Sequence, residues 1–141
     1  MPFIVHVAVV DDDAPVRRAL ARVLVSLGFE VSLFASAEEF LMRMNDVAPS
    51  CLLLDVHLPR LSGLDLYRLL GQLARRLPTV FITADHELAR GDAMRRTGAP
   101  CLLKPIDDEK LLSAIYSVVD PAAPQADAPQ GPDPQAPRQG P

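Results

Sequence analysis

Four strand-length apolar runs in this chain each end on a polar group, and that arrangement limits the possible folds more than any other feature. Val9-Val10 runs into Asp11-Asp12-Asp13, Leu52-Leu53-Leu54 into Asp55, Val80-Phe81-Ile82 into Thr83, and Leu102-Leu103 into Lys104-Pro105. Helical patterns separate these runs, so the strands must lie parallel, joined by crossovers. In an open parallel sheet the ligand and reacting groups gather at the carboxyl ends of the strands, where the strand order reverses. The polar endings should therefore meet at one edge of one sheet.

The periodicities predict five strand-helix units between residues 1 and 119. FIVHVAVV (3–10) reads as a strand. A helix from about Ala14 follows, with Val16, Leu20, Val23, Leu24 and Leu27 on one stripe and Gly28 closing it. FEVSLF (29–34) is the second strand, and Ser36 with Glu39 forms the signature of a capping box opening the second helix. CLLL (51–54) is apolar at every position, which suits a strand covered by helices on both faces. After a loop from Val56 to Ser62, Ser62 and Asp65 mark the start of a third helix bearing Leu66, Leu69, Leu70, Leu73 and Leu77. TVFI (79–82) is strand four. A fourth helix over His86 to Thr97 carries an interior Gly91, at a cost of about 1 kcal/mol against Ala, and is expected to be the least stable. CLL (101–103) is strand five, and Asp107 caps a last helix with Leu111, Leu112, Ile115, Val118 and Val119. Right-handed crossovers then give a doubly wound α/β sheet, with 2-1-3-4-5 as a common strand order.

Composition bounds the rest. The chain has 141 residues, 49% of them hydrophobic, enough for one domain with its own core. A net charge of −4 and a pI near 5.2 argue against a nucleic-acid-binding face, which needs clustered Lys and Arg opposite phosphates. The pairs Arg17-Arg18, Arg75-Arg76 and Arg95-Arg96 fall on separate helical patterns and read as solvated faces. Cys51 and Cys101 each sit in an apolar strand with no metal-ligand spacing, and are expected to be buried free thiols. No apolar run reaches the length of a membrane span and no signal-peptide pattern opens the chain, so a cytoplasmic protein with no membrane partner is expected. From residue 120 the composition changes: 120–141 holds seven of the fourteen prolines and no aromatic or β-branched residue. That segment is expected to be a disordered tail.

If strands one and three are neighbours, Asp11, Asp12 and Asp55 converge on strand ends about 4.8 Å apart. At such distances and an effective dielectric near 20, each carboxylate pair repels by roughly 3 kcal/mol, so the group favours a cation. Hard oxygen donors in an open cage suit Mg2+. A carboxylate can also attack phosphorus, provided that charge on the transferred group is neutralised. Asp55 is placed for that attack, with Lys104 offering an ammonium and Thr83 a hydroxyl. Asp at a strand end commonly just caps the next helix, as Asp13 is expected to do, but four such endings on four strands are better explained together.

The order of these motifs resembles the receiver domain of two-component response regulators, over about residues 3–119. VVDDDAPVRRAL looks like the family's acidic pocket and first helix, LLLDVHLPRLSGLDL like its phosphoacceptor strand and loop, FITAD like its switch strand, and LLKP like its Lys-Pro turn. SAEEF after strand two is similar to receivers of the nitrogen-fixation regulator type. The resemblance implies that Asp55 is the phosphoacceptor and that Asp12 and Asp55 ligate Mg2+ directly. It further implies that Asp11 acts through water and His57 through its backbone carbonyl. Thr83 and Lys104 would hold the phosphoryl group, Ala84 would leave room beside it, and the peptide before Pro105 would be cis. Cys101 stands where many relatives have an aromatic switch residue, and the stretch from Gly98 to Lys104 looks one residue short. Output is therefore expected to run through backbone shifts and the fourth helix.

The resemblance implies a single-domain response regulator that takes phosphoryl from a histidine kinase or histidine phosphotransfer protein and signals through an effector protein. It would promote only its own phosphorylation and dephosphorylation. Alternatives are a phosphorelay shuttle, the receiver part of a longer DNA-binding regulator, and an unphosphorylated scaffold. A small-molecule phosphohydrolase of the haloacid-dehalogenase type would want a second acid two residues after the nucleophile, where this chain has His57.

Overall fold

A computed structural model of the protein describes residues 4–119; the expected tail at 120–141 lies outside the described residues. The chain runs β1 (His6–Val10), α1 (Ala14–Ser26), β2 (Glu30–Phe34), α2 (Ala37–Val47), β3 (Cys51–Asp55), α3 (Gly63–Gln72), β4 (Thr79–Thr83), α4 (His86–Arg90), α5 (Asp92–Thr97), β5 (Cys101–Leu103) and α6 (Asp108–Val119). All five strands are parallel in the order β2-β1-β3-β4-β5. The central strands are apolar because both faces are covered. Val7 to Val10, Leu52 to Leu54 and Val80 to Ile82 are wholly buried.

Alternate residues of each strand feed two cores. On one face Val7, Val9, Leu53 and Ile82 meet Leu20 and Leu24 of α1 and Leu111 and Ile115 of α6. On the other Ala8, Val10, Leu54 and Phe81 meet Phe40 of α2, Leu66 and Leu70 of α3 and Met94 of α5. Burying a Leu or Phe side chain is worth about 1.5–3 kcal/mol, so these two layers carry most of the stability.

The helix starts follow the sequence signals with one change. Asp13 accepts from the Val16 N–H (3.3 Å), Asp107 from Lys110 (2.9 Å), and Ser62 with Asp65 forms a complete capping box. At α2 the Ser36 hydroxyl accepts from the Glu39 N–H (3.0 Å), but the Glu39 carboxylate turns one residue further back, to the Ala35 N–H (2.7 Å).

Two expectations fail at helix ends. The third helix stops before Leu77: Ala74 adopts φ +57, and the Ala74 and Arg75 N–H groups return to the Gly71 and Leu70 carbonyls, closing the last turn in a Schellman motif. Leu77 packs on the core from beyond the helix. The predicted helix over His86 to Thr97 is two short helices, broken at Gly91, whose extended backbone (ψ 165) ends α4 and begins α5. The reason is weak burial: among the described residues α4 contributes nothing to the fully buried core and α5 contributes Met94 alone. Too little packing is available there to hold glycine in a helical conformation.

Candidate functional site

The register of the sheet assembles the polar strand ends. Val10 pairs with Leu54, so Asp11 and Asp55 emerge side by side from β1 and β3. Asp55 pairs with Ile82 and Thr83 with Leu103, which brings Lys104 to the same edge. Carboxylate oxygens of Asp11, Asp12 and Asp55 lie within 4.8 Å of one another. Asp11 and Asp55 are buried and Asp12 is exposed, so the acidic notch opens to solvent on one side.

Each acid is held differently. The Asp11 backbone N–H continues the pairing to the Phe34 carbonyl (3.1 Å), and its Oδ1 accepts from the Asp13 N–H (2.9 Å). Asp55 Oδ1 accepts from the His57 N–H (3.0 Å) and its Oδ2 from Lys104 Nζ (3.2 Å). Lys104 Nζ also forms an ion pair with Asp11 Oδ2 at 2.9 Å. Asp11 Oδ2 is thus a buried carboxylate oxygen that shares its cation with Asp55.

The electrostatics record a surplus of negative charge. Burial and the neighbouring Asp11 push the Asp55 carboxyl up to about 6, although Lys104 and the His57 N–H pull the other way. Burial works against the Lys104 ammonium, yet its contacts with Asp11 and Asp55 raise it above its ordinary value. One ammonium therefore faces two buried carboxylates and the exposed Asp12. Three hard oxygen donors that share one ammonium fit a divalent cation such as Mg2+. Asp12 and Asp55 would hold it, with Asp11 and the His57 backbone carbonyl completing the set.

The remaining predicted residues line the same edge. Thr83 is fully buried at the end of β4, where its hydroxyl accepts from the Asp85 N–H (3.0 Å). Ala84 is exposed beside it, and the Lys104–Pro105 peptide is cis. The His57 side chain points to solvent, with Nε2 3.5 Å from Asp85 Oδ2, and so bridges the loops after β3 and β4. Asp85 is held below the ordinary carboxylate range, first by the Leu88 N–H. Cys101 is half-buried rather than buried, whereas burial pushes the Cys51 thiol up to about 12.

Sequence reading missed three contributors. Arg17, read as part of a solvated face, donates from Nη1 to the Asp11 carbonyl (2.6 Å) and ties α1 to the acidic turn. Its position four residues after the Asp13 cap, about one helical turn, was the available signal. Gly63 packs so closely that an added Cβ would stand 2.3 Å from the Asp55 carbonyl oxygen. Glu38 reaches from α2 to the loop after β3, accepting from the Leu61 N–H (3.1 Å), a contact between distant segments that carries no local signal.

The model of the response regulator receiver domain family matches residues 7–116. The response regulator protein TmoT of Ectopseudomonas mendocina is 37% identical over 124 residues, covering 86% of this chain and 56% of that protein. The transcriptional regulatory protein FixJ of Rhizobium meliloti is 36% identical over 110 residues, covering 77% of this chain and 54% of that protein. The crystal structure of FixJ-N has a TM-score of 0.76 at 32% identity, with 88% of this chain and 99% of that one covered. The chain spans about half the length of the curated relatives it matches.

Proposed function

Because the chain belongs to the response regulator receiver family, we propose that it is a phosphorylation-operated switch whose phosphoacceptor is Asp55. The observation that carries this reading is the placement of Asp55 between an acidic notch and the Lys104 ammonium at one sheet edge. The donor is a phosphohistidine of a histidine kinase or histidine phosphotransfer protein. An Asp55 oxygen attacks phosphorus; the new O–P bond forms as the N–P bond breaks, and the imidazole nitrogen leaves with the bonding pair.

Bound Mg2+ supplies charge neutralisation for the transferred group. Lys104 is already drawn to Asp55 and would follow the incoming phosphoryl oxygens. Thr83 would exchange its bond from the Asp85 N–H for a bond donated to the phosphoryl group, which couples Asp55 to the loop that begins α4. Exposed Ala84 leaves the approach open. The switch turns over its own phosphoryl group only and acts in the cytoplasm through an effector protein. The receiver itself touches no nucleic acid.

A second reading is favoured by the relatives: several are transcriptional regulatory proteins, of whose length this chain spans about half. In that reading the same switch operates a transcription-regulating output. Among the described residues no helix is long and apolar enough to cross a membrane.

The test is phosphorylation with acetyl phosphate and Mg2+, read by intact mass. The wild type should gain one phosphoryl group and Asp55→Ala none. Equal labelling of the two would overturn the assignment.

A further inference from the structure

The loop from Val56 to Ser62 leaves Asp55 and returns to it. The Val56 N–H continues the pairing to Ile82, the His57 N–H binds Asp55 Oδ1, and the Gly63 N–H donates back to the Val56 carbonyl (3.0 Å) while Gly63 rests on the Asp55 backbone. Arg60 at φ +66 turns the chain between these two contacts. Ser62 is bound by Asp65 of the helix it starts, α3. For residues 59–62 the polar tie to any element other than α3, among the described residues, is Glu38. Its Oε2 accepts from the Leu61 N–H at 3.1 Å and its Oε1 lies 3.5 Å from Arg60 Nη2.

The start of α2 does not depend on Glu38 alone. Ser36 and Glu39 bind the Glu39 and Ala35 N–H groups at the head of α2. The Glu38 carboxyl is held below its ordinary range by its own backbone N–H and by that of Leu61, so it stays an ionised acceptor. A charged acceptor that reaches beyond its own helix to a loop 23 residues away acts on that loop. The loop in turn carries the His57 N–H that binds Asp55 Oδ1.

We propose that Glu38 is a positioning residue for the phosphoryl-transfer site: from α2 it anchors the far limb of the 56–62 loop and so holds His57 against Asp55. The proposal rests on the reading of Asp11, Asp12 and Asp55 as the Mg2+ notch, and it places control of that notch in a helix that has no residue in it. Ordering a loop in advance removes an entropic cost from each binding event.

The experiment compares wild type, Glu38→Ala, Glu38→Gln and Asp12→Ala. Mg2+ affinity is read by calorimetry, His57 amide exchange by NMR in EDTA, and thermal midpoints confirm folding. In Glu38→Ala the His57 amide should exchange at least about fivefold faster and Mg2+ affinity should fall about fivefold. Glu38→Gln should keep both within about twofold, because its amide oxygen still accepts the Leu61 N–H. The proposal is overturned if either quantity is unmoved in Glu38→Ala, or if Glu38→Gln is as impaired as Glu38→Ala. Should the wild type take up no Mg2+ that Asp12→Ala abolishes, the reading of the notch fails, and His57 exchange alone decides the anchoring.

Discussion

Lys104 Nζ reaches Asp55 Oδ2 at 3.2 Å across the end of β4, from a strand that is not the neighbour of the one carrying Asp55. Its ammonium is the nearest positive charge for two buried carboxylates at once. Removing it strands both, and breaking a buried pair from one side is strongly destabilising. Lys104→Met should lower the unfolding free energy by about 3 kcal/mol at pH 7.5 in EDTA. The loss should shrink at pH 5, where one carboxyl takes up a proton in place of the missing ammonium. Urea denaturation at the two pH values checks both statements, and a loss that does not change with pH would contradict them.

Asp55 itself should weaken the metal-free fold as it ionises. A carboxyl whose pKa is higher folded than unfolded takes up protons on folding, so its contribution is most favourable below the unfolded value and declines as pH rises through the folded one. Asp55 stands at about 6 against an ordinary 3.8, so the decline falls between about pH 4 and pH 6. Asp55→Asn in EDTA should exceed the wild type in stability by on the order of 3 kcal/mol at pH 7.5. The gap should close toward pH 4; a gap of constant size across that range would refute the charge account.

Mg2+ should reverse that penalty. At a concentration one hundred times its dissociation constant, a ligand bound only by the folded state adds about 2.7 kcal/mol. The wild-type thermal midpoint should therefore climb with Mg2+ and level off logarithmically. Asp12→Ala removes an exposed acid and should leave the metal-free midpoint nearly unchanged while abolishing the climb.

Two glycines of α3 should respond with opposite signs. Gly63→Ala drives a methyl against the Asp55 carbonyl, where neither backbone can yield, and should cost about 3 kcal/mol along with Mg2+ affinity. At Gly71 nothing lies within 4 Å of an added Cβ, and Gly71→Ala should stabilise the fold by about 0.5–1 kcal/mol. Parallel urea titrations of the two variants settle the comparison.

Much of the site was legible because its residues sit at the ends of apolar runs, and a strand buried on both faces shows plainly where its apolar run stops. Asp11, Asp12, Asp55, Thr83 and Lys104 were named on that basis, and the register brings all five to one edge. Gly91 shows where local reasoning stopped: its cost in a helix was foreseen, but not that so little core lay beneath α4 and α5 to offset it. Leu77 fits the apolar spacing of α3, yet the turn at Ala74 removes it from the helix.

Alone, the amino-acid order determined the strand succession, the helices apart from the break at Gly91, and which polar groups the sheet would present together, since those depend on hydrophobic periodicity and near-neighbour capping. Only the tertiary structure decided that Arg17 binds the Asp11 carbonyl, that Gly63 rests on Asp55, and that Glu38 holds the loop beside it. The Gly63 and Glu38 contacts join residues brought together by folding rather than by spacing along the chain. Their energies depend on tenths of an ångström that no periodicity encodes.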